Sequence, residues 1–122
     1  MPGSQYGGNN LNEGRSLIAA TSGVGIAIPF HNCKQISWDI KPSAVPLTGT
    51  IVVESHTDPT ATVGWWLLDT IDAAALGSSG VSGSTQGSGT TPPLGGSWVR
   101  MNITTPIVGG NVTGYLNGLT AD

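Results

Sequence analysis

From Ser16 onward, apolar residues recur at a spacing of two, the period of a strand buried on one face. The alternation is cleanest over residues 34–40, where Ile36, Trp38 and Ile40 share one side and Gln35, Ser37 and Asp39 the other. Residues 47–55 repeat it, with Ile51 and Val53 opposite Thr50, Val52 and Glu54. Over residues 23–30, Val24, Ile26 and Ile28 alternate with Gly25, Ala27 and Pro29. The small residues there imply the close approach of another backbone, and the proline implies an edge or strand end.

Further strands are expected over residues 16–21, 64–71, 97–104 and 111–117, separated by turn chemistry such as Ser22-Gly23, Asp58-Pro59 and Asn117-Gly118. Asp72 to Leu76 reads as a single helical turn. About seven strands with turns every 8–12 residues predict an all-β fold, an antiparallel β-sandwich or jelly-roll-like domain. Its expected core is Ile36, Trp38, Ile40, Ile51, Val53, Leu67, Val99, Met101 and Ile103. Residues 64–71 are apolar on both faces and should be covered on both sides, by the other sheet and by a loop or a partner.

Two stretches lack this periodicity. Residues 1–14 are polar and glycine-rich, with Tyr6 and Leu11 as their apolar anchors, and read as a flexible arm ahead of a single domain over residues 15–122. Residues 77–97 read as a long low-complexity loop rich in Gly and Ser, stiffened near its end by Pro92, Pro93 and the neighbouring Leu94. Both stretches are expected to be mobile in the free protein and to order against neighbours.

Composition narrows the class. The 122 residues include 19 glycines and 8 prolines, which oppose helix, and only 9% are charged. Disorder normally needs low hydrophobicity and high net charge, whereas this chain is 38% hydrophobic with a net charge of −3. Four scattered basic residues, Arg15, Lys34, Lys41 and Arg100, give no footprint for nucleic acid. No apolar run is long enough for a membrane-spanning helix. The N-terminus carries neither a basic region nor an apolar stretch, so synthesis in a cytoplasm without general export is expected.

Candidate chemistry is sparse. His31 and Cys33 stand two apart, but a structural zinc site needs four ligands and His56 is the only other histidine. No metal or other cofactor is therefore expected. Ser55, His56 and Asp58 suggest a hydrolase triad by type, yet they crowd one turn and no nucleophile elbow accompanies them. Asp69 and Asp72 read as acids at a solvated strand end. Asn102 and Asn111 begin sequons that fit a Thr- and Asn-rich composition as well as they fit glycosylation.

The tryptophans carry more information. Alternation puts Trp38 with the core and Trp98 with Arg100 and Asn102, while Trp65 and Trp66 should face opposite sides. At most two of the four should then lie outside the core, where an indole can stack on a sugar ring or a protein partner. Four consecutive large residues, Trp65 to Leu68, exceed what one sheet face covers. Partner contacts are expected at Tyr6, Leu11, Trp65, Trp66, Leu68, Pro92, Pro93 and Leu94.

Taken together, residues 23–29 (GVGIAIP), 97–103 (SWVRMNI) and 112–117 (VTGYLN) resemble the small β-sandwich structural proteins encoded among the head and tail genes of tailed bacteriophages. The resemblance covers roughly residues 16–118, in texture and strand order. It implies a non-enzymatic virion protein with no catalytic residues to carry over. Within that group it implies a capsid decoration (cement) protein, a homotrimer on the capsid exterior that binds the major capsid protein and stabilises the head. A tail, neck or fibre-attachment protein, or a carbohydrate- or receptor-binding module, is the alternative. A Thr-, Ser- and Gly-rich surface supports assembly on physical grounds, because unpaired charge is costly to bury.

Overall fold

The computed structural model describes residues 13–30, 33–86 and 97–120. Nine strands run in chain order: β1 Glu13–Ala20, β2 Gly23–Val24, β3 Ile28–Phe30, β4 Cys33–Pro42, β5 Thr48–His56, β6 Trp66–Asp72, β7 Val81–Gln86, β8 Ser97–Val108 and β9 Val112–Thr120. They form two sheets, one of order β1-β9-β4-β7 and one of order β2-β8-β5-β6, with β3 also pairing β8. Every pairing is antiparallel. The β-sandwich expected from the alternation is therefore present, with nine strands in place of about seven.

The apolar face of each sheet meets the other in one core. Ile36, Trp38 and Ile40 from β4, with Val112 and Leu116 from β9, face Ile51 and Val53 from β5 and Val99, Met101 and Ile103 from β8. Three glycines make room for the larger side chains. A Cβ at Gly83 would stand 2.5 Å from Trp38 Nε1, and one at Gly118 would stand 2.5 Å from Phe30 Cδ1. One at Gly114 would collide with the Met101 sulfur. On β9 the buried positions thus run Val112, Gly114, Leu116, Gly118, a large–small series that interlocks the sheets.

The expected strand over residues 23–30 is split. Between β2 and β3, Gly25 N–H donates to the Met101 carbonyl at 2.8 Å and Ile26 N–H to the Ser16 carbonyl at 2.8 Å. The segment bridges an edge of one sheet to the other, and the small residues do permit close backbone approach. β8 continues past residue 104 to Val108. There three residues of β8 span the interval covered by two on β5, and the resulting bulge accommodates Pro106, which has no ladder N–H. The Ala73–Ala75 turn is 3₁₀, capped by Asp72, whose carboxylate accepts from Ala74 N–H at 3.0 Å.

The low-complexity segment 77–97 departs from expectation. Its residues Val81–Gln86 form β7, in unbroken register with β4 from Ile40↔Val81 to Gln35↔Gln86, and Ser97 opens β8. Glu13 and Gly14, assigned by sequence to the arm, belong to β1. There Tyr115 Oη donates to Glu13 Oε1 at 2.6 Å, and that bond holds the phenol above its ordinary pKa.

Candidate functional site

The strongest concentration of functional side chains lies around the outer face of the larger sheet, where β5, β6 and β8 end together. Outer positions of β5 carry Glu54 and His56, and those of β8 carry Trp98 and Arg100. The antiparallel register sets Glu54 opposite Arg100 and His56 opposite Trp98. Arg100 Nε donates to Glu54 Oε2 at 2.7 Å, with both side chains close to nine-tenths buried.

The connection between β5 and β6 folds back over this pair. Asp58 begins the turn by side-chain chemistry, its carboxylate accepting from Thr60 N–H at 2.9 Å and from Thr60 Oγ1 at 2.8 Å. Asp58 N–H donates to His56 Nδ1 at 2.9 Å, which makes Nε2 the protonated nitrogen of a neutral His56. Gly64 then reverses the chain at φ +86°, a conformation that L side chains rarely adopt. Trp65 emerges with its Nε1–H donating to the Ala61 carbonyl at 2.8 Å and its ring 3.8 Å from the Arg100 guanidinium carbon. Arg100 is thus held both by a carboxylate and by an aromatic face.

The His56 ring centroid lies 5.3 Å from that of Trp65 and 6.1 Å from that of Trp66. The two adjacent tryptophans therefore converge on one histidine, contrary to the expectation that they face opposite sides. The Gly64 turn releases Trp65 from strand alternation, since β6 begins only at Trp66. Trp38 alone of the four tryptophans is in the core, which corrects the expectation that at most two lie outside it.

Leu67 is also corrected. It was expected in the core by counting back in twos from Ile71, but it is 62% exposed. In the β5–β6 pairing, Asp69 faces Val53 and Leu67 faces Glu54, so Leu68 is an extra residue in β6. This bulge reverses the phase of the strand, turning Leu67 outward with Glu54 and packing Leu68 against the core. Within the described residues of this chain alone, residues 64–71 are therefore covered on one side only. Val63, Trp66 and Leu67 are 78, 50 and 62% exposed, Leu67 on the outer face with Glu54 and Trp66 beside His56.

Of the expected partner-contact residues, Trp65 and Trp66 come together here, whereas Leu68 turns inward. Tyr6, Leu11, Pro92, Pro93 and Leu94 lie outside the described residues. The triad types are dispersed. The Ser55 hydroxyl is buried in the core without a hydrogen-bond partner, His56 is on the opposite face, and the Asp58 carboxylate engages Thr60. His31 is outside the described residues, and Cys33 is buried, its thiol pKa raised by desolvation. Among the described residues no group of three His, Cys, Asp or Glu side chains is placed to hold a metal ion. Asp69 and Asp72 each accept from nearby backbone, at Thr70 N–H and Ala74 N–H.

In the sequence His56 reads as a triad member or as a further histidine for a zinc site. Sequence inspection missed Glu54, Arg100 and Leu67 as members of a surface cluster.

The turn carrying Trp65 should respond to acid. Backbone and then side-chain hydrogen bonds from Thr60 lower the Asp58 pKa, so the ordered turn is favoured above the ordinary aspartate value of about 3.9 and that contribution is lost as pH falls through the lower folded value. Tryptophan fluorescence is expected to show a step below about pH 4. In Asp58→Ala this acid step should vanish. A step of undiminished size in the variant would assign it to another group.

No protein-family model, curated protein or solved structure matches the chain.

Proposed function

We propose that this protein is a non-enzymatic virion structural protein of a tailed phage, a capsid decoration protein that docks on the major capsid protein through the Val63–Trp66–Leu67 surface. One observation carries the reading. A half-exposed tryptophan and an exposed leucine, consecutive at the start of β6, adjoin the buried Arg100–Glu54 pair and its neighbour His56. Aromatic anchors of this kind, backed by fixed side chains, supply most of the energy at protein interfaces. The low charge of the chain and its resemblance to phage head and tail β-sandwich proteins support the same conclusion.

Trp66→Ser is the direct test. Trp65 is already committed to Ala61 and Arg100, which leaves Trp66 as the outward member of the pair. The variant should keep its thermal midpoint within about 3 °C, as for a surface change, and lose at least about tenfold in retention on purified heads. Equal retention would overturn the docking site. Copy number on purified particles tests the role: hundreds per head support decoration, whereas a handful indicates a tail or neck component.

A second reading has one observation in its favour. The Trp66 indole lies beside the His56 ring, whose protonated Nε2 can donate to a sugar hydroxyl stacked over the tryptophan. Quenching or a blue shift of tryptophan fluorescence by glycans, lost in Trp66→Ser, would favour glycan binding over capsid docking.

A further inference from the structure

We propose that the free edge of β7 is a second interaction surface, and that its occupant is the same strand of a second copy. Two four-stranded sheets would then join antiparallel across a two-fold axis at Gly83.

An edge strand exposes unpaired backbone donors and acceptors, and natural sheets blunt such edges with short strands, bulges, prolines, charges or covering segments. This sandwich has four edges, and three show those devices. The β1 edge carries Glu13 and Arg15, is irregular in register with β9, and is covered at Ser16 by the Ile26 amide. The opposite edge of the larger sheet is made of β2 and β3, two and three residues long, with Pro29 in the second. The β6 edge carries the Leu68 bulge with Asp69 and Asp72.

Among the described residues, the β7 edge has none of these devices. Its six residues, VSGSTQ, contain no charge and no proline. They pair with β4 at every position without a register shift, so the strand is regular along its whole length. Among the described residues no strand pairs with its other side.

Charge and length select the occupant. A partner strand must itself be uncharged over about six residues, since charge placed against this ladder gains no opposite charge. Within the described chain β1 and β6 carry charges, and β2 and β3 are too short. Strand β7 itself fits. Antiparallel pairing with its copy about Gly83 sets Val81 against Thr85 and Ser82 against Ser84, each twice, and Gly83 against itself, as an isologous contact requires. Such a ladder is smaller than a standard protein interface, so the dimer is weak in free solution and gains when copies are concentrated on a common surface.

The test uses the full chain in sedimentation experiments over a concentration series up to about 1 mM, the range of weak association. The wild type is expected to pass reversibly from monomer to dimer. Ser82→Lys with Ser84→Lys places like charges across the two-fold axis. It should raise the dimer dissociation constant at least about tenfold while leaving the thermal midpoint within about 2 °C. Mixing it with the matching Ser82→Glu and Ser84→Glu variant should restore a heterodimer. Trp66→Ser should dimerise like the wild type even where it fails to bind heads, which separates this surface from the docking site. A monomer throughout the series, or a dimer indifferent to the lysines, overturns the proposal. So does a dimer abolished by Trp66→Ser alone.

Discussion

Replacing Trp38 by alanine is expected to destabilise the domain by about 3–5 kcal/mol, the range for deleting a large aromatic side chain from a core. Trp38 sits on β4, an inner strand of its sheet, with Leu116 of β9 opposite on one side and Gly83 of β7 on the other. It is 5% exposed although it is the largest side chain in the core. Gly83 contributes to that burial, because its missing Cβ leaves space for the indole to extend across β7. Truncation leaves a hole that neither neighbour fills. Leu116 is already packed, and Gly83 has no side chain to move in. The thermal midpoint should fall by about 10–20 °C for a domain of this size. Ile18→Ala, at a largely exposed position on β1, is the control and should stay within about 0.5 kcal/mol. A loss below about 1 kcal/mol at Trp38 would mean that the surrounding strands close over the hole.

That prediction rests on a face already legible in the sequence. Ile36, Trp38 and Ile40, Ile51 and Val53, and Val99, Met101 and Ile103 all point inward as their alternation requires. These residues lie on β4, β5 and β8, strands with neighbours on both sides, where the pleat is regular and period two holds. The failures cluster where that regularity stops. Leu67 lies just before a bulge, and nothing in the local run of apolar residues marks which of Leu67 and Leu68 is the extra one. Trp65 precedes its strand by one residue, so its direction is set by the φ of Gly64 rather than by the pleat.

Strand β7 was hidden for a different reason. An edge strand contributes little to the core, and here Val81 and Gly83 are the apolar and small residues available to signal it. The stronger clue was length, since a 21-residue structureless connection inside a compact sandwich argues against its own assignment. The surface cluster was illegible because it depends on register. That Glu54 meets Arg100, and His56 meets Trp98, follows from how β5 and β8 align across sequence separations of 46 and 42 residues, and no local pattern encodes that alignment.

Gly25→Ala is expected to cost about 3 kcal/mol, the upper part of the range for overpacking, despite adding a single methyl group. A Cβ at this position would collide with the Ser16 carbonyl oxygen and stand 2.6 Å from Ser16 Oγ and 2.7 Å from the Met101 carbonyl oxygen. Two of these contacts are backbone, so relief requires moving β1 or β8 rather than rotating a side chain. Either movement breaks hydrogen bonds. Ser16 Oγ donates to the Ile26 carbonyl at 2.7 Å and accepts from Met101 N–H at 2.8 Å, while the Gly25 and Ile26 amides reach Met101 and Ser16. These four bonds tie β1 of one sheet to β8 of the other, and their loss would leave buried backbone groups without partners. Ser16→Ala removes two of the four without a clash and should cost less, about 1–3 kcal/mol. In the double variant the two losses should fall short of additive, because the alanine at residue 25 has already disrupted the bonds that Ser16 makes. Denaturant titration of the four chains gives the coupling directly. A fully additive cycle would show that the crossing tolerates a side chain at residue 25 and that Ser16 acts independently of it.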